Sequence, residues 1–239
     1  QELAELGASV TLMARSKDHL AETTASLPVI HADQHHDWHA VDMLDTPALR
    51  RTASAIAAGA PVHILINNTG GPPGGPAHDA TIDAFESAFR QHLVANQTVL
   101  QAVLPGMRAS GYGRVVNVIS TSVKEPIAGL GVSNTVRAAV AAWAKTLSSE
   151  LAIDGITVNN VLPGYTRTQR LASLLAARAA ASNRSEDAIA QDILSGVPAG
   201  RFGEPGEIAA VIAFLCTPAA AYVNGVSIAV DGGRTRALS

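Results

Sequence analysis

Cysteine, aromatic residues, charge and long apolar runs are all scarce in this chain, and each scarcity narrows what it can be. The one cysteine, Cys216, has no partner with which to close an internal disulfide. That fits a reducing compartment, so a cytoplasmic location is expected. Aromatic residues are 4% of the 239 positions while hydrophobic residues as a whole are 47%, so Ala, Val, Leu and Ile must fill the core. No apolar run approaches the roughly 18 residues that cross a bilayer, and no membrane partner is expected. Charged residues are 15% of the chain and the net charge is −3, which leaves no basic footprint for nucleic acid. The expected partner is a small molecule.

What the chain does have is alternation. Ala8–Ala14 is a short β-rich run ending at Arg15-Ser16, and Lys17–Leu27 reads as a helix. Further strands are expected at Ala40–Met43, Val62–Ile66, Arg114–Ile119, Ile156–Leu162 and Val226–Val230, with helices at Thr46–Ala58, Ile82–Met107 and Ser133–Ala152 between them. Short apolar strands alternating with helices predict a doubly wound, Rossmann-like parallel α/β sheet with helices on both faces. There is no internal repeat, and residues 1–239 read as a single domain. Gln1–Ala8 looks like the tail of an amphipathic helix with a Gly stop. The alternation calls for a strand and a Gly-rich turn feeding that helix, so the chain reads as amino-terminally incomplete. A sheet simply lacking that central strand would leave two buried edges unpaired.

Several polar stretches carry alternatives. His31–His39 holds four histidines and two aspartates, a composition that suits zinc. A polar connection between helix and strand is the more ordinary use, and no metal site is assigned. From the residues alone, Asp42 reads as a cap for Thr46–Ala58. Gly70–Pro76 lacks the Lys-Ser/Thr of a phosphate loop and reads as a stiff connection at a site's rim.

The segment with most chemistry runs from Asn117 to Arg137. An apolar strand ends at Ser120, a loop punctuated by Pro126, Gly129 and Gly131 follows, and an Ala-rich helix brings Ser133 and Arg137 back over the strand end. Elsewhere, Val62–Ile66 ends in Asn67-Asn68-Thr69-Gly70, Ile156–Leu162 is followed by Pro163-Gly164-Tyr165-Thr166-Arg167-Thr168, and Arg201–Ala209 and Asn224–Gly233 complete the chain. Together these resemble the short-chain dehydrogenase/reductase family and most closely its 3-oxoacyl carrier-protein reductase-like branch. The resemblance spans the chain, through Asn-Asn-Ala-Gly, Pro-Gly-x-x-x-Thr, Arg-x-Gly-x-Pro-x-Glu-Ile-Ala and a closing Asp-Gly-Gly.

It implies an NAD(P)(H)-dependent oxidoreductase acting on a carbonyl or alcohol, with a 3-oxoacyl thioester as the suggested substrate. The implied cofactor contacts are Asp42 and Met43 at the third family strand, Asn68, Thr69 and Gly70, Arg137 on the ribose, and Pro163, Gly164, Thr166 and Thr168 around the nicotinamide. Arg15, where NAD users carry an acid, favours NADP(H) over NAD(H). Relatives assemble through helices equivalent to Ile82–Met107 and Ser133–Ala152, so a homo-oligomer is implied, a tetramer before a dimer. Arg167–Ser195 corresponds to the mobile lid, where Leu171, Leu174 and Leu175 either line the pocket or pack the lid down.

Three catalytic positions depart from the family. Ser133 stands where it has Tyr and Arg137 where it has Lys, at the family's spacing from Ser120, and His92 stands where it has a relay Asn. Ser120 would orient the carbonyl. An aliphatic hydroxyl is far less acidic than a phenol and falls short of its position, while Arg137 binds but cannot pass on a proton. The residues leave three outcomes: a water held by Ser120, Ser133 and a His92 that titrates near neutrality; Tyr165 or Lys124 as the acid; or a dinucleotide-binding or scaffold subunit that has lost the reaction.

Overall fold

The structure is a computed structural model and describes residues 1–238. Six parallel strands form, β1 (Thr11–Ala14), β2 (Asp37–Ala40), β3 (Ile64–Asn67), β4 (Gly113–Val118), β5 (Ile156–Pro163) and β6 (Ser227–Val230). Around them lie α1 (Glu2–Glu5), α2 (Lys17–Ala25), α3 (Thr46–Gly59), α4 (Ile82–Phe89), α5 (Ala95–Ser110), α6 (Gly131–Glu150), α7 (Gln169–Ser182), α8 (Glu186–Ser195) and α9 (Pro205–Leu215). Strands β3 to β6 hydrogen-bond in chain order, while β1 and β2 pair as a second, two-stranded sheet. Among the described residues no strand pairs the one sheet with the other.

One core serves both sheets. Met13 and Val41 pack with Leu65, Val115 and Val158 beneath Leu49 of α3 and Met107 of α5. Successive residues of a strand point to opposite faces, so Val116 and Val161 join a second cluster under Ile208 and Leu215 of α9. Covering on both faces is why β4 and β5 read as nearly unbroken apolar runs.

Arg114, Thr157 and Asn159 are also buried in these strands, but one register carries a continuous row of polar side chains across the sheet. Asn67, Asn117, Asn160 and Ser227 are paired residue to residue across β3, β4, β5 and β6. Asn67 donates to Asn117 Oδ1 at 2.8 Å, Asn117 to Asn160 Oδ1 at 3.0 Å, and Asn160 to Ser227 Oγ at 3.1 Å. A buried amide satisfied on both sides is cheap and an orphaned one is costly, so this row admits one register.

Several boundaries differ from those expected. The second strand of the chain runs Asp37–Ala40, not Ala40–Met43, because β1 stops at Ala14 and Ser16 turns away to cap α2 by accepting from His19 N. The last hydrogen bond is Val41 N to Ala14 O at 2.8 Å. Asp42 therefore lies past the strand and accepts from Leu44 N, while Asp45 is the residue that caps α3. The expected helix Ile82–Met107 is broken by a π-helical turn at Arg90–Val94. The lid segment is two helices joined at Asn183, which takes a left-handed conformation. His31–His39 is a clamp on the start of the chain: buried Gln34 donates to Ala4 O and Ala8 O, and His36 Nδ1 accepts from Val10 N.

Asn117 is fully buried. Replacing it with Ala orphans Asn67 Nδ2 and Asn160 Oδ1 and is expected to cost about 3 kcal/mol in urea unfolding. A loss below about 0.5 kcal/mol would remove the row from any role in register.

Candidate active site

The site is assembled at the carboxyl ends of β3, β4 and β5. Ser120 leaves β4 in extended conformation, half-buried, and its Oγ accepts from Ser122 N at 3.1 Å, which starts a short 3-10 turn. The loop beyond is drawn back over the strand by α6. Gly131, at the start of α6, lies so close to Ala77 that a β-carbon would sit 2.4 Å from Ala77 N. Gly75 N bonds Gly129 O and Gly131 N bonds Gly75 O, at 2.7 and 2.9 Å. The Gly/Pro connection is thereby zipped to the helix start. Asn134 clasps Ile127 through its amide, on both the carbonyl and the N–H.

Ser133 and Arg137 stand one helical turn apart on α6, hence on one face. Arg137 is 8% exposed. Its Nη1 donates to Val118 O at 2.9 Å and its Nη2 to Thr69 O at 3.2 Å, so one guanidinium joins the ends of β4 and β3 and faces the crevice between them. Burial first, then the charge of Arg170, brings it down to about 10, and it remains a cation at neutral pH.

The π turn places His92 on the inner face, 2% exposed. Such turns recur at functional positions. His92 Nδ1 pairs with Thr69 Oγ1 at 2.5 Å, while Nε2 is buried with no partner among the described residues. Thr69, which differs from the family's Ala, thus answers His92 with its hydroxyl and Arg137 with its carbonyl. Burial, and next the charge of Arg137, pushes His92 from 6.5 to about 4. The expectation that His92 titrates near neutrality is corrected: it is a neutral imidazole there.

Across the crevice, Gly164 N bonds Val230 O at 3.0 Å and the Thr166 hydroxyl donates to Gly164 O at 3.2 Å. Thr168 caps α7 by accepting from Leu171 N. Arg234 lies over the Tyr165 ring at 5.3 Å and donates to Thr121 Oγ1 at 3.2 Å, tying the Pro163–Thr168 turn to the Ser120 loop. A cavity of about 250 Å³ there is lined by Tyr165, Arg178, Ile189, Asp192, Ile193 and Arg234. Ile189 and Ile193, not Leu171, Leu174 and Leu175, supply its apolar wall, and Leu171 is packed down at 8% exposed. Lys124 is half-buried on the same loop.

The predicted residues therefore fall into two groups. Ser120, Ser133, Arg137, His92, Thr69 and the Pro163–Thr168 turn share the edge of the larger sheet, with Asn68 and Gly70 exposed beside Thr69. Arg15 and Asp42 are exposed past β1 and β2, and Met43 turns into the main core. Sequence reasoning missed Arg170 and Arg234. Arg170, in the first turn of α7, donates to Pro72 O at 3.1 Å; neither residue belongs to a motif, and only the tertiary structure brings them in.

The donor set fits a dinucleotide: a buried cationic fork at a parallel sheet's carboxyl edge, beside Gly70, just past the end of β3, around which a β-carbon would meet nothing. Comparison with known proteins agrees. The family model described as enoyl-(acyl carrier protein) reductase matches residues 1–235. A putative ketoacyl reductase of Streptomyces coelicolor is 30% identical, over 98% of this chain and 90% of its own. Among solved structures, YwfH, described as an NADPH-dependent reductase of bacilysin biosynthesis, superposes with a TM-score of 0.92 at 26% identity, covering 99% of this chain and 92% of that one. The L-sorbose reductase of Gluconobacter frateurii, complexed with NADPH and L-sorbose, gives 0.90 at 26% identity over 98% and 90%. The chain belongs to the short-chain dehydrogenase/reductase family of NAD(P)-dependent oxidoreductases, in its 3-oxoacyl carrier-protein reductase-like branch.

The His92 shift makes a pH prediction. Between pH 6.5 and about 4 the unfolded chain binds a proton at this residue that the folded chain does not, so stability rises with pH across that window and is lost on acidification. The loss is about 3 kcal/mol. Urea unfolding of wild type and His92→Gln at pH 7 and pH 4 should therefore converge by about that amount as pH falls. Parallel profiles would show that His92 is not held neutral.

Proposed function

We propose that this protein transfers a hydride between NADP(H), in preference to NAD(H), and a carbonyl or alcohol carbon, with a 3-oxoacyl thioester as the substrate class the branch suggests. The observation that carries the proposal is the Arg137 fork, closed on Val118 O and Thr69 O beside the Ser120 hydroxyl. Bound there, the nicotinamide supplies or takes the hydride. The rest is done by the chain. Arg137 has two N–H groups engaged with carbonyls and further donors free for ribose hydroxyls. Asn68, Thr69 and Gly70 edge the same crevice, Pro163, Gly164, Thr166 and Thr168 form its opposite wall, and Arg15, Asp42 and Met43 lie towards the adenine end.

Ser120 Oγ accepts from Ser122 N, which leaves its proton free to be donated to a carbonyl oxygen. The transferred proton comes from water, and proton exchange with bulk solvent neutralises the hydroxide that is left. His92 Nε2 is a buried polar atom with no partner, and a bound water is the ordinary way to satisfy one. Ser133, on the Arg137 face, completes that water's surroundings. Arg137 and neutral His92 orient and do not deliver charge. The exposed apolar side chains of α4, Ile82 and Phe89, support assembly of copies through α4–α5 and α6 into a tetramer. No helix among the described residues is long and apolar enough to cross a membrane, and the single buried cysteine supports a cytoplasmic setting.

One observation favours a second reading, a dinucleotide-binding subunit without turnover: His92, the one histidine of the cluster, is pushed down to about 4 and offers no acid matched to neutral pH. Fluorescence titration with NADPH followed by carbonyl-dependent oxidation separates the two. Hydride transfer predicts turnover, a loss of about 100-fold in kcat/KM for Ser120→Ala, and about tenfold weaker NADPH binding for Arg137→Ala. Binding without turnover across a broad carbonyl panel selects the subunit. Absence of binding contradicts both.

A further inference from the structure

Four arginines of this chain are paired with a carboxylate among the described residues. Arg108 pairs with Asp154 at 2.7 Å, Arg167 with Glu204 at 2.9 Å, and Arg201 with Glu207 at 2.6 Å. Arg137 and Arg170 are not so paired, and they stand together. They come from different helices to the same loop, and among the described residues no carboxylate lies within 4.0 Å of either. Backbone carbonyls hold both of them, Val118 O and Thr69 O for Arg137 and Pro72 O for Arg170.

Their two Nη2 atoms converge above Gly71. A β-carbon built there would lie 3.7 Å from Arg137 Nη2 and 3.9 Å from Arg170 Nη2. Gly71 is not among the glycines with positive φ, so its backbone does not require glycine; what glycine provides is open space between two guanidinium groups. Two cations brought together, one of them buried, repel each other, and Arg170 contributes to holding Arg137 down to about 10. A fork-shaped pair of donors around an open point fits an oxyanion group, which would relieve that repulsion.

We propose that the space above Gly71 is an anion subsite in which Arg137 and Arg170 together bind one carboxylate or phosphate. The inference deepens the hydride-transfer reading and rests on it for the identity of the ligand, which is either an acidic group on the carbonyl substrate or a phosphate of the dinucleotide. A substrate-borne anion would be anchored from both sides of the crevice, by α6 and by the first turn of the lid helix α7.

The test uses calorimetric titration of the full chain as wild type, Arg170→Gln and Gly71→Ala. Arg170 is exposed and Gly71 is in a loop, and thermal melting confirms that each variant folds. The probes are NADPH, then acetoacetate and its uncharged ethyl ester with and without NADPH. A substrate-borne anion predicts that preference for acetoacetate over the ester falls at least tenfold in both variants, one by loss of charge and the other by obstruction. A dinucleotide phosphate predicts that the Kd for NADPH rises about tenfold in both while that preference is unchanged. Either result supports the subsite and assigns its source. Changes below twofold in every Kd, or no binding of either anion by wild type, overturn it. Failure of NADPH alone to bind, with acetoacetate still preferred and still sensitive to both variants, removes the hydride-transfer reading and leaves the subsite standing.

Discussion

Asn67, Asn117, Asn160 and Ser227 form one hydrogen-bonded row across the four strands of the larger, mostly apolar sheet. Apolar side chains tolerate a slip along a strand; buried amides with fixed partners do not. Thr69, Ser120, Gly164 and Asp231 all follow a few residues beyond that row, so its register decides where each of them stands. Arg137 then crosses from α6 and closes on two of those strand ends. A cation held by carbonyls at the edge of a parallel sheet is a binding element first, and the chemistry proposed for the crevice follows from that.

The replaced residues act as a set. His92 needs a polar partner and finds it in the Thr69 hydroxyl; the Thr69 carbonyl in turn receives Arg137. Arg137 carries a charge that, after burial, helps keep His92 unprotonated. Each of these positions is a departure from the family pattern, and each compensates a neighbour. The arrangement preserves a polar, hydrogen-bonded crevice while moving its acid–base properties away from neutrality. That is why the source of the proton, and not the binding of the cofactor, is the demanding part of the mechanism.

Alternation of short apolar runs with helices made the α/β architecture legible, because burial on both faces leaves a mark on the strands themselves. Ser120, Arg137 and the Pro163–Thr168 turn were legible as motifs, and Asn67 as an amide at a strand end. The misplaced second strand was not, since its end depends on where β1 runs out of partners and no local residue marks that. The π turn at Arg90–Val94 lies in an otherwise regular helical pattern. Arg170 and Arg234 reach the site from the lid and the carboxyl end through contacts that span 98 and 113 residues, and the low affinity of His92 for a proton follows from burial and a neighbouring charge that spacing does not encode.

The most direct measurement is the crystal structure of the NADPH complex. The nicotinamide ribose is expected within hydrogen-bond distance, about 2.7–3.2 Å, of the Arg137 guanidinium, with the nicotinamide ring against the Ser120 hydroxyl at the carboxyl edge of β4. A dinucleotide bound elsewhere, or lying in the crevice with its ribose out of reach of Arg137 and its ring turned from Ser120, would contradict the assignment of that edge as the site of hydride transfer.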